Sequence, residues 1–126
     1  MDIDGSILQT IKKKIGIAEE DDAFDTDILI CINTAFDRLN TLGIGPDEGF
    51  RITDDSTEWT EYLTDGKLID SVKDYVYFSV KLAFDPAGSN SYVIDAIQKQ
   101  IDKLEFLFNV KSDSIAIKKE KESNDN

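Results

Sequence analysis

Histidine is absent from the 126 residues. With it go the commonest general base at neutral pH and the commonest side-chain ligand for transition metals. A single cysteine, Cys31, excludes an intrachain disulfide and makes a reducing compartment the expectation. No apolar run approaches the roughly 18 residues that a membrane-spanning helix needs. The opening MDIDGSILQT has neither the basic region nor the apolar stretch of a secretory signal. Basic residues are also scarce. Lys and Arg number 14 against 26 Asp and Glu, a formal net charge of −12. A domain that grips nucleic acid through its phosphates needs clustered cations, so that function is excluded. The same repulsion argues against docking on an anionic membrane.

What is present suits one soluble globular domain with a real core. The hydrophobic fraction is 40% and the charged fraction 32%, and a chain of this length buries roughly two-thirds of its unfolded surface. The charge is unevenly placed. Beyond residue 110, Lys111, Lys118, Lys119 and Lys121 balance Asp113, Glu120, Glu122 and Asp125, so the whole excess lies in 1–110. The chain therefore divides into a folding domain, 1–110, and a neutral polar arm, 111–126.

Hydrophobic spacing predicts helices in the first part. Ser6 caps a short helix with Ile7, Leu8, Ile11 and Ile15 on one side, and Lys12, Lys13 and Lys14 fall in its last turn, where cations suit the helix dipole. Gly16 stops it. Asp25 or Thr26 caps a second helix to about Leu42, striped by Leu29, Ile32, Phe36 and Leu39. Gly43, Gly45, Pro46 and Gly49 make 43–56 a long loop, with Phe50, Arg51, Ile52 and Thr53 as a short extended piece. Ser56 or Thr57 caps a short helix bearing Trp59, Tyr62 and Leu63, broken by Asp65 and Gly66. A fourth helix, about Leu68 to Ala83, repeats Ile69, Val72, Val76, Ser79 and Ala83, and Pro86 ends it. A fifth, about Ser91 to Phe108, repeats Ile94, Ile97, Ile101, Leu104 and Phe108. The fold expected is all-α, a small antiparallel bundle of four to five helices with an extended C-terminal arm.

Chemistry-bearing motifs are missing. The acidic run Glu19, Glu20, Asp21, Asp22, Asp25, Asp27 lacks the central glycine of a calcium loop and is interrupted by Phe24. The Gly43–Gly49 segment lacks phosphate-loop spacing, and Asp47 and Glu48 would repel a phosphate. Cys31 has no histidine to activate it. Trp59 and Tyr62, with Phe50 and Ile52 nearby, carry two open readings: an interaction patch, or a plug for the open end of the bundle. The arm has one apolar island, Ile115, Ala116 and Ile117, beside Lys118 and Lys119. Alone it should be disordered. A partner or a neighbouring copy is expected to order it, with strand addition as one mode.

Several segments together resemble one family. Val80-Lys81-Leu82-Ala83-Phe84-Asp85-Pro86-Ala87-Gly88-Ser89-Asn90, then Ile97 to Leu107 with Leu104-Glu105-Phe106-Leu107, is similar to the head–tail connector (adaptor, head-completion) proteins of tailed bacteriophages. Phe84-Asp85-Pro86 matches that family's segment between two helices. The resemblance extends through Ile11–Ile17, Ile32–Ala35, Leu39–Gly43 and Thr57-Glu58-Trp59, covering roughly residues 7–108. Ala87 stands where a second proline is common, and Phe106 and Phe108 stand where a more polar ending is common.

The resemblance implies a structural virion protein without catalysis, metal or cofactor. It implies a homo-oligomeric ring of twelve on the portal protein after DNA packaging, a platform for the stopper or tail-completion protein, and a channel that DNA passes without specific binding. An acidic wall fits that channel, because it repels DNA at short range. Lys111, Ile115, Ala116, Ile117, Lys118 and Lys119 are the expected portal or neighbour contacts. Two other classes compete. One is an acidic interaction domain or DNA mimic that occupies a basic partner. The other, weaker for want of any motif, is a carboxylate-based hydrolase.

Overall fold

A computed structural model describes residues 5–84 and 91–124, the side chains of 114–124 excepted. Over these residues the chain forms α1 (Ile7–Lys14), α2 (Asp25–Thr41), α3 (Trp59–Tyr62), α4 (Gly66–Phe84) and α5 (Ser91–Asn124), with no strand among them. The all-α bundle predicted from apolar spacing is the fold observed.

Helix starts follow side-chain chemistry. The Ser6 hydroxyl accepts from the Gln9 N–H at 3.3 Å and donates to the Asp55 carbonyl at 2.8 Å, so it caps α1 and ties it to the loop. Asp65, expected to end the short third helix, instead opens α4. Its carboxylate accepts from the Lys67 and Leu68 N–H groups at 3.1 and 2.9 Å, which sets the helix start at Gly66. Neither Ser56 nor Thr57 caps α3. Glu58 holds that place, and its N–H donates to the Glu61 carboxylate at 2.6 Å. The predicted Asp25 cap makes no such bond; Phe24 precedes α2, and the Asp25 carboxylate is turned to Lys12.

The largest departure is the length of α5. The sequence expectation ended it near Phe108, whereas the helix continues to Asn124. Residues 91–124 contain neither glycine nor proline, so nothing in them stops a helix once the bundle has nucleated it. The arm beyond residue 110 is thus helical as far as Asn124, not extended, and strand addition does not describe it.

Helices α2 and α4 pack against each other most extensively, and α5 lies on α4. Phe24, just before α2, meets Phe84 at the end of α4, so these two run antiparallel. Tyr75 faces Phe108 while Phe78 lies near Ile97, so α4 and α5 are also antiparallel. The core joins Ile7, Leu8 and Ile11 of α1 to Ile28, Ile32, Phe36 and Leu39 of α2, Val72, Val76 and Val80 of α4, and Ile97, Ile101 and Phe108 of α5.

The long loop is folded, not slack. The Asn33 side-chain amide both accepts from the Ile52 N–H at 2.8 Å and donates to the Ile52 carbonyl at 2.9 Å. One buried side chain thereby satisfies a whole residue of loop backbone, and Ile52 can be buried without orphaning its polar groups. Gly45 has φ +90°, and a Cβ there would lie 2.5–2.8 Å from the Tyr62 ring. The position requires glycine on both counts.

Candidate functional site

The middle of α5 is fastened to two helices by one carboxylate. Glu105 Oε1 accepts from the Arg38 guanidinium of α2 at 3.0 Å, and Oε2 accepts from the Tyr75 hydroxyl of α4 at 2.9 Å. Burial alone would raise the Glu105 carboxyl. The two hydrogen bonds and the Arg38 charge outweigh it and hold the group below its ordinary range. Tyr75 is pushed well up, first by burial and then by the bond to Glu105. Arg38 is half exposed, so the ion pair contributes little, and the less exposed Tyr75–Glu105 bond is the stronger tie.

A depressed carboxyl stabilises the fold above its unfolded pKa, and that stability is lost as pH falls through the folded value. Stability should therefore decline on acidification below about pH 4.5, the ordinary value of this carboxyl. Glu105→Gln should cost about 1–2 kcal/mol at neutral pH and flatten that acid limb. Urea midpoints measured across the acid range for both proteins check this; parallel pH profiles would contradict it.

The residues offered from sequence as contacts fall in different places. Ile52, Trp59 and Tyr62 are buried in the monomer. Trp59 donates its indole N–H to Thr10 Oγ1 at 3.2 Å, and the Tyr62 hydroxyl donates to the Ile44 carbonyl at 3.3 Å. With the half-buried Phe50 they ring Phe36, at centroid distances of 5.1 Å to Phe50, 4.7 Å to Tyr62 and 6.4 Å to Trp59. They close the bundle end, as the second of the two open readings had it, and do not present a surface patch. Phe84 is half-buried against Phe24, while Asp85 and Pro86 lie outside the described residues. Lys111 is exposed on α5. Ile115, Ala116, Ile117, Lys118 and Lys119 lie on the same helix, and their side chains are outside the described residues.

Cys31 is half-buried, and its thiol is raised by burial and then by the Asp27 charge, which suppresses the thiolate. Among the described residues no group of three or more histidine, cysteine or acidic side chains is placed to hold a metal ion. No helix among them is long and apolar enough to cross a membrane.

Two surfaces escaped the sequence expectation. On α5, Tyr92, Phe106 and Val110 are exposed although apolar. Near the start of α2, Phe24 and Ile30 are exposed beside Phe84. The signal for the first was in the sequence: Phe106 and Val110 lie four apart on the side of the helix opposite Ile97, Ile101 and Phe108. These faces suit contact with other macromolecules better than any small-molecule chemistry.

A family model described as "Phage connector protein" matches residues 7–114, a span that holds α1 to α4 and most of α5. No curated protein and no solved structure matches the chain.

Proposed function

Since the chain belongs to the phage connector protein family, a family of structural head–tail connectors and not of enzymes, we propose that it is a ring-forming subunit that docks on the portal vertex. There it extends the DNA channel after packaging and offers a platform to the stopper or tail-completion protein. The observation that carries this is the family match across 7–114. Twelve copies would match the ring expected of such connectors. Assembly would take place in the host cytoplasm, and the protein would act at the head–tail junction of the virion.

The physical properties of the chain support the reading. A net charge of −12 gives a subunit that DNA slides past and does not stick to. Apolar side chains left exposed on α2 and α5 supply area for assembly. The arm, 111–126, remains the proposed reach toward the portal or a neighbour, now as a continuation of α5.

Purified protein mixed with purified portal and imaged by cryo-EM should show a second ring stacked on the portal. Portals without added density would overturn the proposal. Deleting 111–126 should abolish portal binding while the far-UV helical signal falls only by the residues removed. Unchanged binding by the truncated protein would refute the arm's role and leave the ring intact.

A further inference from the structure

Helix α5 has two faces. Ile97, Ile101 and Phe108 point inward and are buried. On the opposite side Lys99, Lys103, Phe106 and Val110 recur at spacings of 4, 3 and 4, and all four are exposed, while Tyr92 and Ala96, earlier in the same row, border the groove beside Phe78 and Ile97. That periodicity marks a second contact stripe by the same rule that identifies the first. Phe106 is 72% exposed and Val110, one turn on, 47%. Leaving both in water is costly unless another surface covers them.

Charge narrows what that surface is. Asp95 stands beside Lys99 at the start of the stripe, but from Lys103 to Val110 this face carries no acid, and Lys111 lies just beyond it, on a chain whose net charge is −12. Its occupant must be apolar and acidic together. The chain itself has such a surface. Phe24, Asp27, Ile30 and Phe84 line an open groove of about 550 Å³ between the start of α2 and the end of α4. Phe24 and Ile30 are 45% and 59% exposed. Asp27, in its lining, is exposed. The stripe cannot reach the groove of its own subunit, because α5 turns its other face to α4.

We propose that the α5 stripe of one copy seats on the α2–α4 groove of the next, with Phe106 entering beside Phe24 and Ile30, and Lys103 meeting Asp27. The two patches are different, so the contact is head-to-tail. Such contacts propagate, and they close into a ring when the rotation per subunit permits. The ion pairs select the register, and the apolar side chains supply most of the affinity. The proposal rests on the ring reading for the identity of the partner as a second copy.

Complementation tests it with full-length protein. Phe106→Ser blanks the stripe, and Ile30→Ser blanks the groove. Both side chains are exposed, so each variant should keep the wild-type thermal midpoint. In sedimentation velocity each variant alone should self-associate at least tenfold more weakly than wild type. An equimolar mixture should form a species of twice the 14.2 kDa chain mass that grows no further, since one sound junction remains. Lys99→Glu with Lys103→Glu should weaken wild-type association in the same way.

Variants that associate like wild type overturn this contact and leave the ring reading standing. Variants that stay monomeric when mixed overturn the head-to-tail pairing. Wild type that is monomeric up to millimolar concentration overturns the contact as well. In that case the ring reading is decided separately by whether a ring is seen on the portal.

Discussion

Truncating Phe108 to alanine should lower the stability of the domain by about 3–5 kcal/mol. Phe108 is fully buried, and its ring meets the Tyr75 ring edge to face at 5.5 Å, so the change removes both buried area and a specific aromatic contact. The site has little means of collapsing around the cavity. Tyr75 of α4 is held by its bond to Glu105, which lies one turn before Phe108 on α5, and Ser112, one turn after Phe108, abuts the loop at Gly43. The opposite end of α5 cannot compensate. There Phe78, Val93, Ala96 and Ile97 line an open apolar groove, so the fastening of α5 is concentrated around Phe108. Urea denaturation should show the loss directly, with a fall in thermal midpoint of roughly 10–20 °C. Hydrogen exchange should show α5 amides losing protection before those of α2 and α4. The same substitution should weaken self-association even though no residue of the outer stripe is changed, because the stripe is presented by the helix that Phe108 anchors. A loss below about 1 kcal/mol would mean that α5 is not held at this point.

Much of the bundle was legible in the spacing of apolar residues, because that spacing is set by the cores that α2, α4 and α5 share. Leu39, Ile32 and Phe36, then Val72 and Val76, then Ile97, Ile101 and Phe108 all lie where their stripes put them. The Ser6 cap was legible too, since a hydroxyl before an apolar-periodic run has one obvious use. What failed was of another kind. Asp65-Gly66 reads as a break, but an aspartate before a helix is as good a cap as it is a turn former. The polar composition beyond Phe108 points to an end of α5 there, but the absence of glycine and proline from 91–124 is the better guide. Trp59 and Tyr62 could not be assigned to core or surface, because aromatic residues with polar tips serve both. Their hydrogen bonds to Thr10 and Ile44, distant in sequence, decide the matter. The outer stripe of α5 is a repeat that two lysines interrupt, so its spacing alone does not mark it as apolar.

Lys12 is the residue whose surroundings the sequence concealed most, and its removal should cost about 3 kcal/mol. Three consecutive lysines at a helix end read as a solvated, dipole-complementing turn, and for Lys14, partly exposed near Asp74, that holds. Lys12 points the other way. It is fully buried. Its ammonium lies 2.9 Å from the Asp25 carboxylate at the start of α2 and donates to the Glu19 carbonyl at 3.0 Å. A single cation thus joins α1, the acidic connector and α2. Lys12→Met keeps the length of the stem and deletes the charge. It strands Asp25 and the Glu19 carbonyl without their donor, and a broken buried pair typically costs 3–5 kcal/mol. The Asp25 side chain is 28% exposed, so water solvates part of the stranded charge and the lower end of that range applies. The thermal midpoint should fall by about 10 °C. The double change Lys12→Met, Asp25→Leu should recover a good part of the loss, because it removes the uncompensated charge along with its partner. A double variant no better than Lys12→Met would show that the stem's packing, and not the charge pair, holds the connector. The consequence for assembly follows from position. The connector carries Phe24 into the lining of the α2–α4 groove, so releasing it should blunt self-association with the α5 stripe intact. A tethered connector is then a condition for a groove that the next copy can occupy.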